Sequence, residues 1–154
     1  MPDAEPTQAL TRLYHDLLAA WNRRDAPGMA RLFAIDGSQV GFDGSVADGR
    51  REIECHLAPI FASHPTPAFV GKVREVRAFG RDAALLRAVA GMLSPGSTDL
   101  NPDLNAVQTL VASRGTDGRW RIDMFHNTPA AFHGRPHEKD ELTRELRALI
   151  KPGD

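Results

Sequence analysis

The sequence predicts an α+β domain, with helices first and then a curved antiparallel sheet wrapped around them. Three observations carry this. Apolar residues recur at helical spacing as far as Phe61. From Phe69 to Thr128 they alternate at strand spacing instead. Pro65 and Pro67 stand at the switch, where neither a helix nor a central strand tolerates them. A length of 154 residues fits one such domain.

In the first helix Leu10, Leu13, Tyr14, Leu17, Leu18 and Trp21 form one apolar stripe, starting near Pro6 or Thr7 and stopping between Asn22 and Asp25. Asp25 reads as the N-cap of a short second helix with Pro27 in its first turn and Met29, Leu32 and Phe33 on its buried side. Asp36-Gly37 turns the chain into a short strand through Val40 and Phe42, closed by Asp43-Gly44. Asp48-Gly49 precedes a third helix that buries Ile53, Leu57, Ile60 and Phe61, with His56 beside the stripe. Phe69–Phe79 and Ala83–Ser94 form a hairpin across Gly80-Arg81-Asp82. After a loop over Pro95–Asp103, long for a hairpin, Asn105–Arg114 and Arg119–Thr128 form a second hairpin. Ala130–His137 is irregular. Leu142, Leu146, Leu149 and Ile150 then mark a C-terminal amphipathic helix ending at Pro152-Gly153, with Asp140 and Arg144 spaced for an ion pair. Residues 1–130 are thus expected to form the domain and 131–154 a tail with a helix.

Composition excludes several function classes. A net charge of −1 supplies no field for nucleic acid or an anionic membrane. Cys55 is the only cysteine, so neither an internal disulfide nor a thiolate metal cage is expected. His133 and His137 are four apart, but Gly134 and Pro136 between them oppose a helix, so no metal site is expected. The acidic start has no basic region followed by an apolar run, and no stretch is long enough to span a bilayer. The expectation is a soluble, cytoplasmic protein.

The segment from Asp117 to Pro129 is the most informative. Strict alternation puts Trp120, Ile122, Met124 and His126 on one face, and Asp123, Phe125 and Asn127 on the other. Both faces carry large apolar side chains, so both need cover. The Asp123 face is expected to line an interior or cavity. The Trp120 face is expected to meet a second copy, forming a homodimer. On the strand of the preceding hairpin, Ala84, Leu86, Ala88, Ala90 and Met92 share a face of mostly small residues, leaving room for a ligand or for a close helix.

Trp21 with Asp25, Leu32-Phe33-Ala34, Asp48-Gly49-Arg50 followed by Ile53 and His56, and Asp117 through Ile122 leading to Phe125-His126-Asn127-Thr128 form an ordered set. On these residues the chain resembles the SgcJ/EcaC family, SnoaL-like, within the nuclear-transport-factor-2-like or ketosteroid-isomerase-like superfamily. The resemblance covers residues from about 7 to 130. It implies a cystatin-like, cone-shaped barrel with an internal pocket, and a dimer joined through the outer face of the sheet. The catalytic positions of ketosteroid isomerases fall here on Gly41, Leu17 and Thr109 or Leu110, which cannot perform those roles. With no Gly-x-Gly-x-x-Gly after a strand, no redox cofactor is expected either.

The site is therefore expected on the inward side of the last strands. Asp123 is the candidate acid/base, or else a rim carboxylate paired with Arg119 or Arg121. Asn127, with Gln108 on the neighbouring strand, would orient a substrate, or would cap the sheet. Phe125, His56 and Trp21 complete the expected lining, although His56 and Trp21 equally suit a packed core. The indole N–H of Trp21 would then bond a carbonyl. The function expected is binding of a small apolar, polyketide-like molecule, with proton transfer, cyclisation or isomerisation as the reactions open to it. The alternative is a non-catalytic association domain whose role is homo-oligomerisation.

Overall fold

A computed structural model describes residues 4–150. The elements are α1 (Ala4–Asn22), α2 (Ala26–Arg31), β1 (Phe33–Val40), β2 (Val46–Asp48), α3 (Arg50–Ser63), β3 (Ala68–Ala78), β4 (Ala83–Leu93), a 3-10 turn (Pro102–Leu104), β5 (Ala106–Arg114), β6 (Trp120–Pro129) and α4 (Pro136–Arg147). The strands form one six-stranded sheet in the order β2-β1-β6-β5-β4-β3, curved around α1–α3. All neighbouring pairs are antiparallel except β1 with β6, which run parallel. The expected α+β class and the helix-wrapping sheet are what the chain adopts.

Asp25 caps α2 by accepting from the Gly28 N–H at 2.9 Å, and Pro27 sits in the first turn. That hydrogen bond, helped by Arg23, holds the Asp25 carboxyl below its ordinary range. Phe33, expected on the second helix, instead opens β1 and is fully buried. Asp36-Gly37 does not end a loop; it lies within β1, where the register against β6 shifts between Phe33 and Ser38. The Phe33 carbonyl receives two hydrogen bonds from the Arg50 guanidinium, at 2.9 and 2.6 Å. This ties the start of α3 to the start of the sheet.

The main core fills the space between α1 and the sheet. Leu10, Tyr14, Leu17 and Leu18 of α1 pack against Ala84, Leu86 and Ala88 of β4 and Leu110 and Ala112 of β5. The small residues of β4 therefore accommodate a helix over most of their length. Gly71 on β3 makes the approach possible, because a Cβ there would lie 2.2 Å from Tyr14 Oη and 2.7 Å from Leu18 Cδ1.

On β6, Ala112 pairs with Ile122 but Val111 pairs with Met124, so Asp123 is an extra residue in a β-bulge. The bulge reverses the phase of alternation. Trp120 and Ile122 turn inward with Phe125: Ile122 is fully buried in the core and Trp120 packs against it. The outward face expected to carry Trp120, Ile122, Met124 and His126 thus keeps only Met124 and His126. Strict alternation misassigned the other two.

The tail is integrated with the sheet. Leu142 and Leu146 of α4 bury against Val89 and Leu100 on the side of the sheet opposite the main core, where Gly91 allows close contact. Glu145 binds Arg74 and Lys72 of β3, Arg147 binds Asp99, and Lys139 binds Asp103. The spacing-based pair Asp140–Arg144 does not form; the helix directs its charges to the sheet and to the 95–103 loop. The expected end at Pro152-Gly153 lies outside the described residues.

Replacing Gly71 with Ala should destabilise the protein by ~1–3 kcal/mol through overpacking, read as a fall in melting temperature of several degrees. Glu145 is held down to about 2 from its ordinary 4.5, chiefly by Arg74 and then by Lys72. A depressed carboxylate contributes stability above its unfolded pKa and loses it as pH falls through the folded one. In urea titrations, Glu145→Gln should cost roughly 1 kcal/mol or less at pH near 6, since the pair is half-exposed. That difference should shrink to nothing as pH falls from about 4.5 towards about 2.

Candidate functional site

The wide end of the cone is hollow. A cavity of about 400 Å³ opens between the C-terminal end of α1, α3 and the ends of β1, β4 and β6. This lies in the lower part of the range for small-molecule sites, roughly 300–1,000 Å³. Trp21, Met29, Leu57, Ile60, Phe69, Met92, Leu104 and Phe125 make most of its wall apolar. Gln39, Asp43, His56, Thr66 and Asn127 supply the polar side chains. No Lys or Arg is among the lining residues.

The rim is built by side chains at the end of α1. Trp21 donates its indole N–H to the Pro67 carbonyl at 2.8 Å and stacks edge-on against Phe61. Asn22 clamps the Phe69 backbone with both halves of its amide, at 2.8 and 3.1 Å. Arg24 holds the Thr66 hydroxyl and carbonyl. The segment after α3, which contains both prolines and can offer few hydrogen bonds of its own, is thereby pinned across the mouth.

Beneath the cavity lies a buried relay. The Tyr14 hydroxyl donates to Gln108 Oε1 at 2.6 Å, and Gln108 Nε2 donates to Asn127 Oδ1 at 3.1 Å. Burial pushes the Tyr14 phenol well above its ordinary value, so it remains a donor. Gln108 is itself fully buried and pairs across the strands with Asn127.

Trp21, His56, Phe125 and Asn127 therefore all line the cavity, and Gln108 stands directly behind Asn127. Asp123 does not belong with them. As the extra residue of the β6 bulge it is absent from the lining, and its expected acid/base role has no cavity to act in. Nor does it take the expected rim pairing, since Arg121 binds Asp117 instead. Sequence reading passed over Gln39, buried in the wall with its Oε1 unpartnered, and Asp43 at the mouth. The Asp43-Gly44 turn was legible, but only the folded chain puts Asp43 close enough to His56 for the two charges to interact. The Asp43 carboxyl sits below its ordinary range, mainly because it accepts the Ser45 N–H and only lastly because of His56.

Among the described residues no group of three or more His, Cys, Asp or Glu is placed to hold a metal ion, and no helix is long and apolar enough to cross a membrane.

No family model and no curated protein matches the chain. Solved structures do. A domain of unknown function with a cystatin-like fold from Nostoc punctiforme is 24% identical, with a TM-score of 0.78 over 95% of this chain and 94% of that one. The fold is cystatin-like. A candidate dehydratase of the NTF2-like family from Streptomyces avermitilis is 22% identical, with a TM-score of 0.66 over 85% of this chain and 99% of that one. A candidate calcium/calmodulin-dependent protein kinase II association domain from Thiobacillus denitrificans is 16% identical, with a TM-score of 0.67 over 76% and 91%. At these identities the likeness is one of fold.

The relay yields a thermodynamic prediction. Gln108→Leu should cost ~2–4 kcal/mol, because it strands buried polar groups on both sides. Adding Tyr14→Phe should then cost less than it does alone, giving a coupling of about 1–2 kcal/mol in a double-mutant cycle by denaturant unfolding.

Proposed function

We propose that this protein binds a small, largely apolar molecule in the cavity at the wide end of its cone, as a pocket protein of SgcJ/EcaC type. The observation that carries the reading is the cavity itself: mostly apolar walls with a few polar groups, the usual composition of a small-molecule site. Support for the narrower family comes from the ordered residues Trp21, Asp25, Asp48-Gly49-Arg50 and Asp117 through Thr128. Trp21, Phe125, His56 and Asn127 contact the ligand, and Gln108 orients Asn127.

Where the bound molecule is turned over, by proton transfer, cyclisation or isomerisation, the proton carrier is His56. Its imidazole lines the cavity and carries both a donor and an acceptor nitrogen, whereas the Ser45 N–H holds the Asp43 carboxyl below its ordinary range. Asp123 takes no part. A second copy joins through the outer face of the sheet, where Met124 is 41% and Val46 59% exposed. That patch, with the likeness to an association domain, also favours a second reading in which assembly is the whole function. The hollow cavity favours the first, since a pure association module gains nothing from leaving it open.

Native mass spectrometry of protein purified without added ligand should report a dimer carrying a co-purified small molecule. Leu104→Trp, which fills the cavity from its wall, should weaken binding of the neutral probe N-phenylnaphthylamine at least about tenfold and leave the subunit number unchanged. Equal probe binding by both proteins, with no co-purified compound, would leave only the assembly reading.

A further inference from the structure

We propose that the cavity is polarised to receive a neutral carbonyl oxygen, with Asn127 as its hydrogen-bond donor and Gln39 as a second. This rests on the small-molecule reading above and specifies the ligand class.

The polarity starts at Tyr14. Its hydroxyl is buried and has one acceptor, Gln108 Oε1. Reversing the Gln108 amide would leave the phenolic proton with nothing to bond, so the buried hydroxyl sets the amide's direction. Gln108 Nε2 must then face Asn127, and Asn127 must answer with Oδ1. The other half of the Asn127 amide is its Nδ2, a donor without a partner on a residue that lines the cavity.

Gln39 adds to the same bias. Its strand partner is Phe125, two residues before Asn127 on β6, and it too lines the cavity. Its Oε1 is sealed in the wall without a partner, whereas its Nε2 is not among the sealed atoms. The opposite orientation would bury an unpartnered NH2, which proteins tolerate less than an under-used carbonyl oxygen. Both amides therefore offer N–H to the open space. A ligand hydroxyl bound there would find no amide oxygen for its own proton. The other side-chain acceptors, Asp43, Thr66 and the exposed imidazole of His56, stand on the turn, the pinned segment and α3 at the mouth.

Charge excludes the other common acceptor. With no Lys or Arg in the wall and the ionised Asp43 beside His56 at the rim, a carboxylate would lose its hydration and meet a like charge. A ketone, ester, amide or quinone oxygen keeps the acceptor without that cost.

Three probes of one skeleton test this on the full chain by calorimetry: tetralin, tetralone and tetralin carboxylate. Tetralone should bind about five- to tenfold more tightly than tetralin, as one added hydrogen bond allows, and the carboxylate should bind more weakly than either. Asn127→Asp keeps the acceptor for Gln108 but replaces the donor with oxygen, so it should abolish the advantage of tetralone over tetralin. Tyr14→Phe should shrink the same ketone-to-hydrocarbon ratio without contacting the probe, as a positioning residue would. Equal affinity of wild-type protein for tetralin and tetralone, or an undiminished ketone advantage in Asn127→Asp, would overturn the polarity. Failure of all three probes to bind would instead remove the pocket reading, and this inference with it. The wild-type comparison needs no variant to fold.

Discussion

A phenol buried deep in a protein must find a hydrogen-bond partner, and much of this structure depends on where Tyr14 finds one. Its ring fills the narrow half of the cone from α1, and its hydroxyl reaches across to Gln108 on β5. Gly71 lets the helix come that close to β3. On one side of the hydroxyl the interior is solid hydrocarbon. On the other side the polar relay continues to Asn127 and the interior opens. The boundary between core and cavity is thus a hydrogen bond, and its direction decides which atoms the cavity presents.

The sheet departs from regular alternation at three places, each with a consequence. At Asp123 the bulge turns Ile122 and Phe125 to the same side, so β6 contributes to the core and to the cavity wall with a single face. Within β1 a shift between Phe33 and Ser38 lets one strand start in the core and end at the cavity mouth. At Arg74 the extra residue of β3 leaves the ladder and bonds Glu145 of α4. Each added residue shifts the later side chains of its strand by half a period, a general property of bulges.

The C-terminal helix changes how the outer face of the sheet is covered. On the outer face, α4 and Leu100 occupy the part over β4. Four ion pairs from α4 reach β3 and the 95–103 loop, so the helix and loop are fastened as a unit. The exposed apolar residues Met124 and Val46 lie towards the opposite edge, on β6 and β2.

Most of the architecture was legible in the sequence because local physics dictates it. Helical stripes, the Asp25 cap, the glycine turns other than Asp36-Gly37 and the two prolines each act within a few residues, and the elements they predict are present. Trp21 bonding a carbonyl was also foreseeable, since a buried indole needs an acceptor. Where local reading failed, the deciding contacts were far apart in the chain. Nothing near Asp123 announces that Val111 will pair with Met124 rather than with its neighbour, and that one pairing removed Asp123 from the interior. Gln39 carries no motif and becomes a wall residue only because β1 lies beside β6 in parallel. The chain's own letters determined which segments are helix or strand and that the last strand carries apolar side chains on both sides. Only tertiary structure decided which residues face which side, because a period of two gives the faces but pairing sets the phase.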